Sequence, residues 1–321
     1  MRPPTGSGDA WASTYHAPVL AAEVVAVFRE CSEILDGTLG GGGHALALLE
    51  SSATVRVTAL DQDPEAVAAA RTRLAAWEAN GRFRAFAGNF ADVDRIDALA
   101  DARFDGVFLD LGVSSHQLDD QTRGFSFREG APLDMRMAKG TAHEPLDAAS
   151  LLQEADERTL TRIFRDYADE PRATRLARTI VHRRAHRPFR TSDDLVDAIR
   201  GALGPRTGSP DFARLFQAVR IAVNDELVVL ERALPALRDR LRPGGVMAVI
   251  AYHSGEDRLV KHAFRAWSTA CTCPPRQPIC TCGGRALGTT LTRKAITAGI
   301  EETTLNPRAR SARLRAWRSA A

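Results

Sequence analysis

Three observations predict an α/β fold, with a parallel sheet covered by helices on both faces and an all-helical domain inserted into it. Strand-like and helical segments alternate through the first third of the chain. Turn-rich and then helical sequence without convincing strands fills the middle, and a strongly apolar strand, Val246 to Ala251, follows. At 321 residues the chain can bury a substantial core and form two domains. Its 44% hydrophobic and 26% charged residues are ordinary for a globular protein.

Taken in order, residues 1–14 contain Pro, Gly and Ser without an apolar core region, which predicts a short disordered lead-in rather than a secretion signal. No apolar run reaches the 18 residues of a membrane span, so a cytoplasmic location without a membrane partner is expected. A strand is predicted near Ile34, a helix from about His44 to Ser51, a strand from Val55 to Leu60, and a helix from Pro64 to Trp77. Asp63-Pro64 forms a good helix start. Further strands are expected at Arg82 to Ala87 and Phe104 to Leu109. Helical periodicities at Leu151-Leu152, Leu160, Ile163-Phe164 and Leu195-Val196-Ile199 mark residues 113–216 as the insertion. Residues 15–112 and 217–321 then form the discontinuous sheet domain, with a helix from Phe216 through Leu234 and the turn Pro243-Gly244-Gly245 before the last predicted strand.

The strand at Ile34-Leu35 ends in Asp36 and runs into a loop with five glycines within seven positions, Gly37 to Gly43, followed by His44. Such a loop permits close backbone approach to a ligand, and a plain turn would not require the entropy that five glycines cost. The second strand ends in Asp61, where a carboxylate can accept hydrogen bonds from two ribose hydroxyls. An adenosine-containing cofactor suits this pattern. A dinucleotide fits poorly, because Leu39 and Ala45 stand where G-x-G-x-x-G would want glycines and Asp36 would repel phosphates. Asp36 would attract the ammonium or sulfonium of S-adenosylmethionine, which is therefore favoured over NAD.

Net charge is only +3, but its distribution is uneven. Between Pro171 and Arg190 lie seven arginines, two histidines and no acid; Asn306 to Ala321 holds five arginines and no acid. Each segment reads as a footprint for a polyanion or as a solvated helix face. In the first, Arg172, Arg175, Arg178, Arg183, Arg184 and Arg187 are candidate phosphate contacts. Cys271, Cys273, Cys280 and Cys282 fall within twelve residues and are weak zinc candidates, since C-x-C is tighter than the usual knuckle and Pro and Gly flank it. No metal is expected.

Several longer runs carry a family resemblance. They are His16-x-Pro18-Val19-Leu20, Asp36-Gly37-Thr38-x-Gly40-x-Gly42-Gly43-His44, Leu109-Asp110-Leu111-Gly112-Val113-Ser114-Ser115-x-Gln117-Leu118-Asp119, and Arg123-Gly124-Phe125-Ser126-Phe127. Pro132-Leu133-Asp134-Met135-Arg136-Met137, Phe216-Gln217-Ala218-Val219-Arg220-Ile221 and Asn306-Pro307-Arg308-x-Arg310-Ser311 add to them. From about Tyr15 to Arg318 the chain resembles the bacterial RsmH (MraW) methyltransferases. The resemblance implies a class I S-adenosylmethionine-dependent methyltransferase (Rossmann-like) fold with an inserted helical domain. It also implies N4-methylation of one cytidine, cytidine 1402, in the decoding region of 16S rRNA, within the small ribosomal subunit. The family's cofactor contacts carry over onto Gly42, Gly43, His44, Asp61, Phe90, Asp110 and Gln117. Two departures are Gly255, where the family usually has leucine, and Leu151, where a tryptophan is often found.

The exocyclic amine of cytosine is a poor nucleophile because its lone pair is delocalised into the ring, and a hydrogen-bond acceptor on the amine protons restores it. Asp110 is the leading candidate for that acceptor, with holding the cofactor as its other reading. His253 can take the released proton, oriented by Glu256 or Asp257, or can serve the start of a helix or its packing. Ser114, Ser115, Gln117 and Asp119 either shape the base pocket or cap the next helix. A non-catalytic rRNA-binding assembly factor, a methyltransferase acting on another substrate, and an NAD-linked oxidoreductase are the alternatives; a homodimer is left open.

Overall fold

The computed structural model describes residues 18–138, 145–271, 273, 277, 279, 281 and 284–321. The predicted lead-in and two of the four clustered cysteines, Cys280 and Cys282, lie outside the described residues. The chain divides into two compact units, Met1–Gly112 with Val228–Ala321, and Val113–Leu227.

In chain order, α1 (Ala21–Val27) precedes β1 (Glu33–Asp36), α2 (Gly43–Ser51), β2 (Arg56–Asp61), α3 (Pro64–Arg73), α4 (Ala75–Ala79), β3 (Phe83–Ala87) and β4 (Phe104–Asp110). The helical stretch follows as α5 (Ser115–Asp119), α6 (Ala148–Glu154), α7 (Glu157–Ala168), α8 (Ala173–Arg184), α9 (Ser192–Leu203) and α10 (Ser209–Val223). Then come α11 (Glu226–Arg238), β5 (Leu241–Ala251), α12 (Ser254–Trp267), β6 (Gly288–Thr290), α13 (Ile300–Leu305) and β7 (Arg313–Ser319).

The seven strands form one sheet in the order β3-β2-β1-β4-β5-β7-β6. The first five are parallel; β7 runs antiparallel to β5, and β6 antiparallel to β7. Strand order reverses between β1 and β4, so the crevice at their carboxyl ends is the switch point where open α/β sheets bind ligands. Alternation decides which side chains reach that crevice. Ile34, Val57, Ala59, Phe108, Ala248 and Ile250 face one apolar layer, while Leu35, Leu60, Val107, Leu109 and Val249 face the other. Continuing the first parity to the strand ends puts Asp36, Asp61, Asp110 and Tyr252 on one face, the face covered by α2 through Ala45, Leu48 and Leu49.

Two predicted helices are broken. The helix predicted over 64–77 ends at Leu74 and resumes as α4. The helix predicted from Phe216 instead runs from Ser209 to Val223, and Asp225, at φ 49°, separates it from α11. The predicted domain boundary at 216/217 therefore falls inside α10. Phe212, Leu215, Phe216, Val219 and Val223 of that helix all belong to the helical core, which moves the end of the helical unit to Leu227.

β6 and β7 were not foreseen, because the arginines of Arg313–Ser319 dominate its reading as a polyanion footprint. The structure gives two of the five arginines other partners: Arg315 is buried and forms a bidentate pair with Asp257 (2.6 and 3.0 Å), and Arg318 pairs with Glu30 (3.1 Å), while Arg308, Arg310 and Arg313 are exposed. Trp317 beside them is fully buried against Phe264 and Trp267, with ring centroids 6.4 and 5.2 Å away.

Within the helical unit, side-chain caps fix the starts of several helices. Asp147 accepts from the Ser150 amide (2.7 Å), Asp156 from the Thr159 amide (2.7 Å), and Thr191 and Asp194 form a reciprocal capping box on α9. Leu160, Phe164, Leu176, Ile180, Leu195, Ile199 and Leu215 fill the interior between them.

Candidate active site

Strand register sets the depth of the three carboxylates. Asp36 is level with Ala59 on β2 and Phe108 on β4, so Asp61 and Asp110 stand two residues nearer the carboxyl edge. Asp36 is consequently fully buried. Its Oδ1 accepts from the Thr38 amide (3.0 Å), whereas its Oδ2 has no hydrogen-bond partner among the described residues. Burial, followed by the charges of Asp110 and Asp61, pushes the Asp36 carboxyl up to about 7.

The glycine loop is tied down on both sides. The Gly37 amide donates to the Phe108 carbonyl (2.9 Å), the Leu39 amide to the Leu60 carbonyl (2.9 Å), and the Gly40 amide to Asp61 Oδ2 (2.8 Å). A Cβ at Gly37 would lie 2.5 Å from Leu109 Cδ2 and 3.0 Å from Phe90 Cβ, so only glycine fits. Gly42, at φ 74°, is the left-handed residue that starts α2. The other oxygen of Asp61 accepts from the Asp63 amide (2.9 Å). A carboxylate accepts up to about four hydrogen bonds, so these amide donors are compatible with hydroxyl donors from a ribose. Phe90 begins the short helix Phe90–Arg95, capped by Asn89 Oδ1 on the Ala91 amide (2.9 Å), and stands beside Gly37.

Asp110 is gripped from three directions. Its amide donates to Thr38 Oγ1 (2.6 Å), Tyr252 Oη donates to its Oδ1 (2.8 Å), and His44 Nδ1 lies 3.4 Å from its Oδ2. His44 Nε2 is 2.8 Å from the Val19 carbonyl. Neither Thr38 nor Tyr252 was marked as functional from sequence. The signal for Tyr252 was its parity with Ala248 and Ile250, and it went unread because the residue falls just past the end of β5.

His253 has the helix-start role that sequence left open. Its Nδ1 accepts from the Glu256 amide (3.4 Å) and its Nε2 lies 3.3 Å from Glu256 Oε1. Glu256 Oε2 in turn accepts from the Tyr252 and His253 amides (2.8 and 3.2 Å). Of the two carboxylates expected to orient it, Glu256 does contact it and Asp257 is taken by Arg315.

Gln117 lies in the helical unit, buried, where its Oε1 accepts from the Ser114 amide and its own amide donates to Ser114 Oγ, both at 3.1 Å. This is the reciprocal capping that sequence offered as the alternative to pocket shaping.

The six candidate arginines on or near α8 are not equivalent. Arg172 donates to the Leu203 carbonyl (2.8 Å), Arg183 to the Asp197 carbonyl (2.9 Å), and Arg184 to the carbonyls of Leu152 and Ala155 (2.9 and 2.7 Å). Arg178 pairs with Glu157 (2.8 Å) and Arg187 with Asp194 (3.1 Å). Arg175 is exposed and forms no such contact among the described residues. Cys271 is exposed and Cys273 half-buried.

With this geometry in place, the comparisons with known proteins decide the family. The sequence model of the MraW methylase family matches residues 13–320. The chain belongs to the MraW methylase family. Ribosomal RNA small subunit methyltransferase H of Gemmatimonas aurantiaca is 62% identical over 320 residues, covering 100% of both chains. The protein of the same name from Heliobacterium modesticaldum is 46% identical over 310 residues, covering 94% of this chain and 97% of its own. That from Anaeromyxobacter dehalogenans is 49% identical over 309 residues, covering 94% and 96%.

This MraW methylase is an S-adenosylmethionine-dependent methyltransferase of the Rossmann-like class. Its residues fit that cofactor. Asp36 Oδ2, buried with no partner among the described residues, suits a cationic group, the glycine loop leaves backbone accessible, and Asp61 offers acceptors to hydroxyls. A pyrophosphate fits badly beside a buried carboxyl.

Proposed function

We propose that this chain methylates the exocyclic N4 amine of a single cytidine, cytidine 1402, in the decoding region of 16S rRNA, acting in the cytoplasm on rRNA within the small subunit. The observation that carries the reading is Asp110, a carboxylate fixed at the tip of β4 on the side of the sheet's switch point. The relatives' shared name, small subunit rRNA methyltransferase, supports the substrate class.

When bound, S-adenosylmethionine supplies an electrophilic methyl carbon. Asp36, Gly42, Gly43, His44, Asp61, Phe90 and Gln117 are the residues proposed to hold it, with Asp36 meeting its positive charge. Asp110 accepts a hydrogen bond from the amine, which returns electron density to the nitrogen lone pair and aims it. The same carboxylate takes the proton the amine loses as the N–C bond forms and the S–CH3 bond breaks, its electron pair staying on the departing thioether sulfur, so no further base is required. The target base must leave its stack to reach a carboxylate set into the sheet edge, and a looped rRNA segment makes that least costly.

The test is incubation of the protein and an Asp110→Ala variant with labelled S-adenosylmethionine and small subunits lacking the modification, followed by mass-spectrometric mapping. Label on N4 of one cytidine, absent with the variant, is expected. Label on another base rejects the substrate.

A further inference from the structure

The polar contacts of Asp110 contain more than an acceptor. His44 Nε2 faces the Val19 carbonyl at 2.8 Å, and a carbonyl only accepts, so Nε2 carries a hydrogen. A neutral ring protonated there has a bare lone pair at Nδ1, which points at Asp110 Oδ2 from 3.4 Å. Two lone pairs repel. The contact is attractive only with a proton between the two groups. Which partner carries that proton depends on what else touches the carboxylate. On its other oxygen stands a donor, the Tyr252 hydroxyl at 2.8 Å, whose ring passes 3.6 Å from the position of a Cβ at Gly112.

We propose that Tyr252 is a positioning residue for methyl transfer: by donating to Oδ1 while His44 holds Oδ2, it fixes the plane of the Asp110 carboxylate and keeps it ionised. A donor on a carboxylate favours the charged form and so leaves the shared proton on His44. Burial and then the Asp110 charge raise the Tyr252 phenol well above its ordinary range, so it remains a donor throughout the working pH range. Among the described residues, the titratable groups facing this pair are His44 on α2 and Asp36 at the end of β1, and the charges of Glu256 and Glu302 bear on Tyr252. None of them supplies the hydrogen bond that Tyr252 gives.

The inference rests on Asp110 as the acceptor in the reaction, and its test is arranged to be read without the substrate. In ligand-free protein with carboxyl-labelled aspartate, the Asp110 carbon signal is identified by its loss in Asp110→Asn and followed against pH. Tyr252→Phe keeps the ring and removes only the hydroxyl. It is expected to raise the acid-side midpoint by about one pH unit. With small subunits, kcat is expected to fall by about tenfold or more, while KM for both substrates and the affinity for S-adenosylhomocysteine stay within about twofold. The chain has only three tyrosines, Tyr15, Tyr167 and Tyr252, so uniform 3-fluorotyrosine incorporation gives a second arm that keeps every side chain in place. Its more acidic phenol is a stronger donor and is expected to move the midpoint down. An Asp110 midpoint unmoved in both proteins overturns the proposal, whatever happens to activity. Were the methylated base not cytosine, the midpoint shifts would stand.

Discussion

Asp36 on β1 lies level with Phe108 on β4, which puts its carboxyl one strand across and two residues below that of Asp110. The lower position seals it from water, and its charge is costly there. In the unfolded chain Asp36 ionises near pH 4; in the folded protein it does so at about 7. Between those values the folded state holds a proton that the unfolded state lacks, so this contribution to stability falls as pH rises and is gone above about 7. Ligand-free protein should lose roughly 2 kcal/mol relative to Asp36→Asn between pH 5 and 8 in urea unfolding. A cationic methyl donor binds the ionised form, so its affinity should rise across the same window, with proton release seen by calorimetry in two buffers. Parallel pH profiles for the two proteins would contradict the assignment.

The glycine loop makes a graded prediction. Gly37→Ala forces a methyl group against Leu109 and Phe90, and should cost about 1–3 kcal/mol and weaken donor binding at least tenfold. Gly40→Ala meets nothing within 4 Å and bears only the strain of its φ of 49°, about 1 kcal/mol. Thermal melts and S-adenosylhomocysteine titrations rank the two. Equal effects would mean that Leu109 and Phe90 yield to a methyl group at position 37 at no more cost than the strain at position 40.

Much of this was legible in the sequence because period-two alternation and terminal acids are local signals. β1, β2, β4 and β5, with Asp36, Asp61 and Asp110 at their ends, could be read from apolar runs meeting glycine and aspartate. The carboxyl-edge Tyr252 was readable by the same parity. Pairing was not legible: nothing local says that Asp257 neutralises Arg315 58 positions away, or that Arg184 caps carbonyls 29 and 32 positions back. Charge counts therefore could not separate paired arginines from exposed ones in either basic segment, and β7 was hidden by its own arginines.

That hidden strand has a measurable weight. Trp317 fills the layer between β7 and α12, so Trp317→Ala should destabilise the sheet unit by about 3–5 kcal/mol, with Trp317→Phe recovering part of the loss. Chemical denaturation of both variants measures the difference. A cost below about 1 kcal/mol would mean that β7 is an edge decoration rather than part of the core.

The arginines of α8 separate structure from recognition. Arg184 satisfies two carbonyls at the end of α6, so Arg184→Ala should lower the stability of the helical unit by about 1–3 kcal/mol. Arg175 is exposed with no such task, so Arg175→Ala should leave the melting temperature unchanged. If this face meets phosphates, the same change should weaken rRNA binding at every sequence alike and reduce the slope of log affinity against log salt by about one. Filter binding to a decoding-region fragment from low to moderate salt measures both quantities. A slope unaltered by Arg175→Ala, and by Arg175→Glu, would remove α8 from the rRNA contact and leave its arginines with the helix-packing roles already visible in Arg172, Arg183 and Arg184.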